Sequence, residues 1–178
     1  HTRSLCDWSS DVCSSDLSPY YNHEVPAFAH SSSEGDRLMG LAGYVRSGSQ
    51  WTKGGKQLTL RITAHQSLES AQEVVINMQS QLQTAGISVA VEFLDEASWK
   101  SRIWNERSFD LVLSQWTFDR NEDVREQFYS KGTRNFVGYA NPASDALLDQ
   151  ARDALDPGAR KLALRKLHAQ VNQDLPMV

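Results

Sequence analysis

Beyond Leu17 the sequence contains no cysteine, because Cys6 and Cys13 both precede that residue. A disulfide framework is therefore excluded for the rest of the chain, and its redox compartment cannot be read. A long hydrophobic run is lacking too, since no stretch is apolar over the roughly 20 residues that a membrane span needs. The N-terminus has neither the charged nor the apolar region of a secretion signal, so any export signal is expected outside this sequence. Nor is there a run of lysine or arginine, and the formal net charge of -4 over 178 residues is too mild to mark nucleic acid or an anionic membrane as partner. Enzyme motifs are missing as well: there is no GxSxG elbow, HExxH helix, Walker loop or GxGxxG turn. His23, His30 and His168 are too scattered to suggest a metal site. No catalytic residue, metal or cofactor is expected.

What is present has the composition of a soluble globular protein, long enough for one ordinary domain with a sizeable core. The start stands apart. Thr2 to Leu17 (TRSLCDWSSDVCSSDL) concentrates serine, aspartate and both cysteines without a usable hydrophobic period. Its part Asp7 to Leu17 looks like a translated sequencing adapter, and Cys-x6-Cys is not a recognised metal knuckle. Residues 1–17 are accordingly set aside as a non-native extension. Residues 18–57 read as a connector with a short helix, and residues 58–178 as an α/β ligand-binding lobe that is incomplete at its C-terminal end.

Along the chain, SPYYNHEVPAFAH from Ser18 to His30 favours an extended segment pinned by its rings. Ser31 to Ser33 cap a helix over Glu34 to Leu41, and the stretch through Gly54 and Gly55 is a loop or hairpin. Leu58 to Ala64 (LTLRITA) alternates as a strand. Between Glu69 and Ala85, Ala71, Val75, Met78, Leu82 and Ala85 recur at helical steps, with Gly86 placed for a left-handed cap. Ile87 to Leu94 is a second strand, Glu96 to Asn105 a second helix, and Asp110 to Trp116 a third strand. Alternation of short strands with helices implies a parallel sheet with right-handed crossovers. Asn141-Pro142 and Asp156-Pro157 each place a capping residue before a first-turn proline and open two further helices, expected to cover the sheet. An apolar strand is expected to begin after Asp174.

Four segments carry a family likeness: SPYYN, LQTAGISVAVEFLDEASW, FDLVLSQWTFD and FVGYANPASDALLDQARDALDP. In this order they resemble the dipeptide and oligopeptide (peptide/nickel) solute-binding proteins, family 5, of ABC importers. The resemblance implies a periplasmic-binding-protein type II-like lobe with a parallel β-α-β-α-β core of order 2-1-3, within a longer two-lobed protein. It also implies an extracytoplasmic or periplasmic location, membrane-associated in Gram-positive cells. A peptide-like ligand and the importer's permease subunits are the implied partners of a monomer that does not bind nucleic acid.

Ligands of open parallel sheets bind beyond the carboxyl ends of the strands, where successive connections diverge. With order 2-1-3 that point lies between the first and third strands, at Ala64-His65-Gln66 and Gln115-Trp116-Thr117-Phe118-Asp119. A carboxylate just past a buried strand can accept a charge-assisted hydrogen bond from an ammonium group. The resemblance implies that Asp119 does so for a peptide's amino terminus; the alternative is a cap on a helix starting near Asn121. Trp116 is either an apolar wall or core, while backbone groups of Trp116, Thr117 and Phe118 can pair with an extended peptide. His65 faces the expected cleft, and Arg120 and Arg134 are candidate carboxylate partners or surface charges. Tyr139, Asn141 and Asp145 read as structural. Rival functions are a hydrolase using Asp119, Glu122 and Asp123, a sensor or regulator's effector domain, and a carrier of metal chelates, haem, opines or oligosaccharides on the same scaffold.

Overall fold

Alternating side chains in Leu60–Ala64 and the three-to-four spacing that follows build the centre of the structure, a computed structural model that describes residues 20–26, 28–115 and 123–177. The first helix is α1 (Ser32–Leu41), followed by three short strands, β1 (Val45–Ser47), β2 (Gln50–Lys53) and β3 (Lys56–Gln57). The α/β core then runs β4 (Thr59–His65), α2 (Ala71–Thr84), β5 (Ser88–Leu94), α3 (Glu96–Lys100) and β6 (Leu111–Leu113). After it come α4 (Arg125–Phe128), α5 (Pro142–Asp153) and α6 (Pro157–Asp174). The described residues separate into two units, 29–115 and a second formed by 20–26, 28 and 123–177.

In the first unit the sheet order is β5-β4-β6, with both pairings parallel. This is the expected order 2-1-3. Ile62 and Ala64 point to one face, where they are fully buried against Ala71 and Val75 of α2, with Val89 of β5 beside them. The opposite face of β4 carries Thr63, also fully buried, and His65, whose ring meets Trp99 of α3 edge-on at 6.1 Å between centroids. Two crossovers that leave β4's neighbours in opposite directions, both right-handed, must put α2 and α3 on opposite faces. Burying a residue such as Ile62 is worth about 1.5–3 kcal/mol.

Two local outcomes differ from expectation. Glu96 to Asn105 is not one α-helix: α3 spans five residues and Ser101–Asn105 continues as a π-helical turn, with Glu106 N–H donating to Ser101 O. The hairpin region is a three-stranded antiparallel sheet, β1-β2-β3. Trp51 ties it to the core, its Nε1 donating to Ala85 O at 3.0 Å and its backbone N–H to Gly86 O at 2.9 Å. Those carbonyls belong to the C-terminal end of α2, where helix acceptors need outside donors.

In the second unit α5 and α6 begin as their sequences require. Asn141 Oδ1 accepts from Ala143 N–H and Asp156 Oδ2 from Ala159 N–H, each before a first-turn proline. Leu148, Ala151, Ala163, Leu164 and Leu167 form their shared core, with Tyr20, Val124, Phe128 and Tyr129 packed against it. The apolar faces expected to cover the sheet are thus used within this unit. Leu175, left-handed at φ 48°, ends α6, and no strand follows among the described residues.

Candidate functional site

The carboxyl end of β4 is held in a set of short turns. Gln66 N–H extends the ladder to Leu94 O at 2.9 Å, Leu68 N–H donates to His65 O at 3.1 Å, and Ala71 N–H donates to Leu68 O at 3.1 Å. These bonds bring loop 66–70 over the start of α2 and leave a concavity of about 520 Å³, lined by Gln66, Leu68, Ser70, Ala71, Gln72, Glu73 and Phe93. Phe93 follows Val89 and Val91 on the α2 face, and at 39% exposure it is the point where that apolar row opens to the cleft. Ser70 caps α2 from the left-handed region at φ 61°, without a side-chain cap bond. Amide, hydroxyl and apolar groups therefore share one open wall at the strand ends.

His65 is placed differently from a lining residue. Its ring turns to the α3 face, where Nδ1 accepts from Ser67 N–H at 3.2 Å and lies 2.7 Å from Ser67 Oγ. Nε2 lies 3.0 Å from Glu96 Oε2, within ion-pair range but not aligned as a hydrogen bond. Glu96 also contacts Lys100 Nζ at 2.7 Å. That lysine, ahead of the smaller influence of His65, holds the Glu96 carboxyl below the usual range. Asp95 is lowered too, chiefly by the Ser98 backbone N–H and hydroxyl that it caps.

Of the residues expected to bind ligand, Trp116, Thr117, Phe118 and Asp119 lie outside the described residues, as do Arg120 and Glu122. The cleft that is described lies on the β5 side of β4. Its residues Ser70 and Phe93 escaped sequence reasoning, although the alternation through Val89, Val91 and Phe93 carried a signal for the latter. Nothing in the sequence marks Ser70 as left-handed. Tyr139, Asn141 and Asp145 have the structural surroundings expected of them: Tyr139 hydroxyl donates to Asp174 Oδ2 at 2.6 Å, and Asp145 Oδ1 accepts from Ser130 N–H at 2.8 Å. Among the described residues no group of three or more His, Cys, Asp or Glu is arranged to hold a metal ion. No helix among them is long and apolar enough to cross a membrane.

No family model matches the chain. In sequence it is 20% identical over 162 residues to the oligopeptide-binding protein AppA of Bacillus subtilis, covering 86% of this chain and 29% of AppA. It is 26% identical over 146 residues to the oligopeptide-binding protein OppA of Mycobacterium bovis, covering 80% of this chain and 24% of OppA. Among solved structures, B. subtilis AppA in complex with a nonapeptide superposes with a TM-score of 0.80 at 21% identity, over 90% of this chain and 33% of that one. NikZ of Campylobacter jejuni in complex with Ni(L-His) gives 0.74 at 18%, over 85% and 32%. A mannohexaose-bound periplasmic oligopeptide-binding protein of Thermotoga maritima gives 0.78 at 22%, over 89% and 32%. The chain spans between a quarter and a third of the length of these proteins. In sequence the chain is similar to oligopeptide-binding proteins, and in fold to part of the solute-binding proteins of ABC transporters, a partial α/β lobe with a parallel sheet.

Proposed function

We propose that this chain supplies one ligand-holding wall of an extracytoplasmic solute-binding protein that captures peptide-like ligands between two lobes and delivers them to an ABC importer. The observation that carries this reading is the cleft on the β5 side of β4, next to the switch point that the order β5-β4-β6 places between the carboxyl ends of β4 and β6. Sites of open parallel sheets form there. A left-handed serine at the mouth of the same cleft supports it, because backbone strain concentrates where ligands are held. In this reading Asp119 receives the ligand's amino terminus, Trp116 forms an apolar wall, and the backbone of Thr117 and Phe118 pairs with the peptide. Residues 58–178 act as the lobe, and the permease subunits are the partners of a monomer. Its role is binding rather than catalysis.

A single wall leaves most of a ligand in water, so affinity requires enclosure by a second lobe. Titrating the isotope-labelled chain with trialanine should shift backbone amides of Gln66 to Ser70 with a dissociation constant in the millimolar range. Micromolar binding would contradict the two-lobed reading, and shifts confined to other surfaces would contradict the site. The neighbours' solutes set the second reading, a carrier of a metal chelate or oligosaccharide. Nickel-histidine and mannohexaose titrated in parallel should leave the Gln66 to Ser70 amides unmoved. A larger response to either one than to trialanine would replace the peptide assignment.

A further inference from the structure

His65 is engaged at both ring nitrogens, and the two engagements respond in opposite ways to a proton. At Nδ1 the ring accepts a backbone N–H, that of Ser67, at 3.2 Å. An imidazole nitrogen that accepts is unprotonated, so in the neutral ring the hydrogen sits on Nε2, which lies 3.0 Å from Glu96 Oε2 without hydrogen-bond alignment. Ser67 is the second residue of the loop whose members Gln66, Leu68 and Ser70 line the cleft. The ring itself is not among the residues that line the cleft.

We propose that His65 is a positioning residue whose neutral imidazole holds loop 66–70 in its cleft-lining shape and releases it when the ring takes up a proton. Protonation turns Nδ1 from acceptor to donor, which sets an N–H against the Ser67 N–H. The Ser67 hydroxyl, 2.7 Å away, can reverse its role and accept from the ring, but the backbone N–H loses its acceptor. On the other side the charged ring gains an ion pair with Glu96. Among the described residues the charged groups near the ring are Glu96 and Lys100 of α3, which pair with each other, and Asp95 at the N-cap of that helix. On β5, Leu94 is the uncharged cross-strand partner of His65, and Glu92 behind it is paired with Arg102 of the π-helical turn at 3.0 Å. β6 contributes only Leu111, Val112 and Leu113 to the pairing with β4. If the cleft is the ligand wall proposed above, it captures ligand less well with the ring protonated than with the ring neutral.

The test needs no ligand, so its outcome is separate from that of the functional reading. Hydrogen-exchange protection of the Ser67 amide is measured in the full chain at pH 8 and pH 5, each corrected for the intrinsic exchange rate. Protection should fall by about tenfold at pH 5, the equilibrium worth of one intramolecular hydrogen bond. In His65→Asn, where the amide oxygen takes the place of Nδ1 and does not titrate, protection should be the same at both pH values. Nitrogen shifts of the native ring at pH 8 should report the Nε2–H tautomer, a readout that does not depend on the variant folding. Equal protection at pH 8 and pH 5 in the native chain, or an Nδ1–H tautomer at pH 8, overturns the proposal. So does a loss of protection in His65→Asn that matches the native one.

Discussion

Ser70 holds φ 61° at the start of α2, and its side chain makes no cap bond in return. A residue with a Cβ is disfavoured there by about 1–2 kcal/mol, part of which glycine gives back through its freer unfolded chain. Ser70→Gly should therefore stabilise the protein by about 0.5–1 kcal/mol in urea unfolding; a loss of stability would show that the serine hydroxyl has a role the geometry does not reveal. Asp174 presents the opposite case, a side chain with several partners. Tyr139 hydroxyl and Asn141 Nδ2 reach its Oδ2 at 2.6 Å, and Gln170 Nε2 reaches both oxygens at 3.1 Å. These donors, Tyr139 foremost, hold the carboxyl below its ordinary range. The folded value lies below the unfolded one, near 3.9, so the contribution is complete above that pH and disappears as pH falls through the folded value. Asp174→Asn should lower the melting temperature at pH 7 and flatten its decline in acid. An unchanged acid slope would mean that other carboxyls carry the dependence.

At the scale of elements, the junction between the three-stranded hairpin sheet and the α/β core rests on Gly86. Its φ is +88°, and a Cβ added there would meet the Arg46 guanidinium and the backbone oxygen of Ser49. The arginine tip can move, whereas the carbonyl belongs to the turn that lets Arg46 lie 4.3 Å from the Trp51 ring centroid. Gly86→Ala should cost about 2–3 kcal/mol by chemical unfolding, more than a surface substitution would; a change below about 0.5 kcal/mol would show that the hairpin shifts freely. The position of Gly86 was legible in the sequence because a helical period ends there, and so were both Asn-Pro and Asp-Pro starts, where cap and ring act locally. The π-helical turn at Ser101–Asn105 was not, since Trp99, Ile103 and Trp104 satisfy an α-helical period as well. Long-range packing decides there: Ile103 is fully buried and Arg102 reaches Glu92 of β5. Likewise, apolar faces on α5 and α6 announced two buried helices without saying that they bury each other.

For the whole molecule, strand order was readable because alternation and crossover handedness leave few topologies, and the resemblance chose among them. The site was less legible. His65 was rightly placed at a strand end, yet its partners Ser67, Glu96 and Trp99 come together only through the turn after β4 and the docking of α3. The sequence of residues 1–17 has no usable hydrophobic period, so their deletion should change stability by less than about 1 kcal/mol in thermal unfolding; a larger loss would contradict their reading as a non-native extension. The functional account itself is tested most directly by a cycle between Asp119 and the ligand's amine. The full-length two-lobed protein and its Asp119→Asn variant are each titrated with trialanine and with its N-acetyl form, and affinities are read calorimetrically. Asp119→Asn should weaken trialanine by about 1.5–3 kcal/mol, the worth of a hydrogen bond to a charged group, and leave the acetylated peptide unaffected. Equal losses for both peptides, or no loss for either, would contradict recognition of a peptide amino terminus by Asp119.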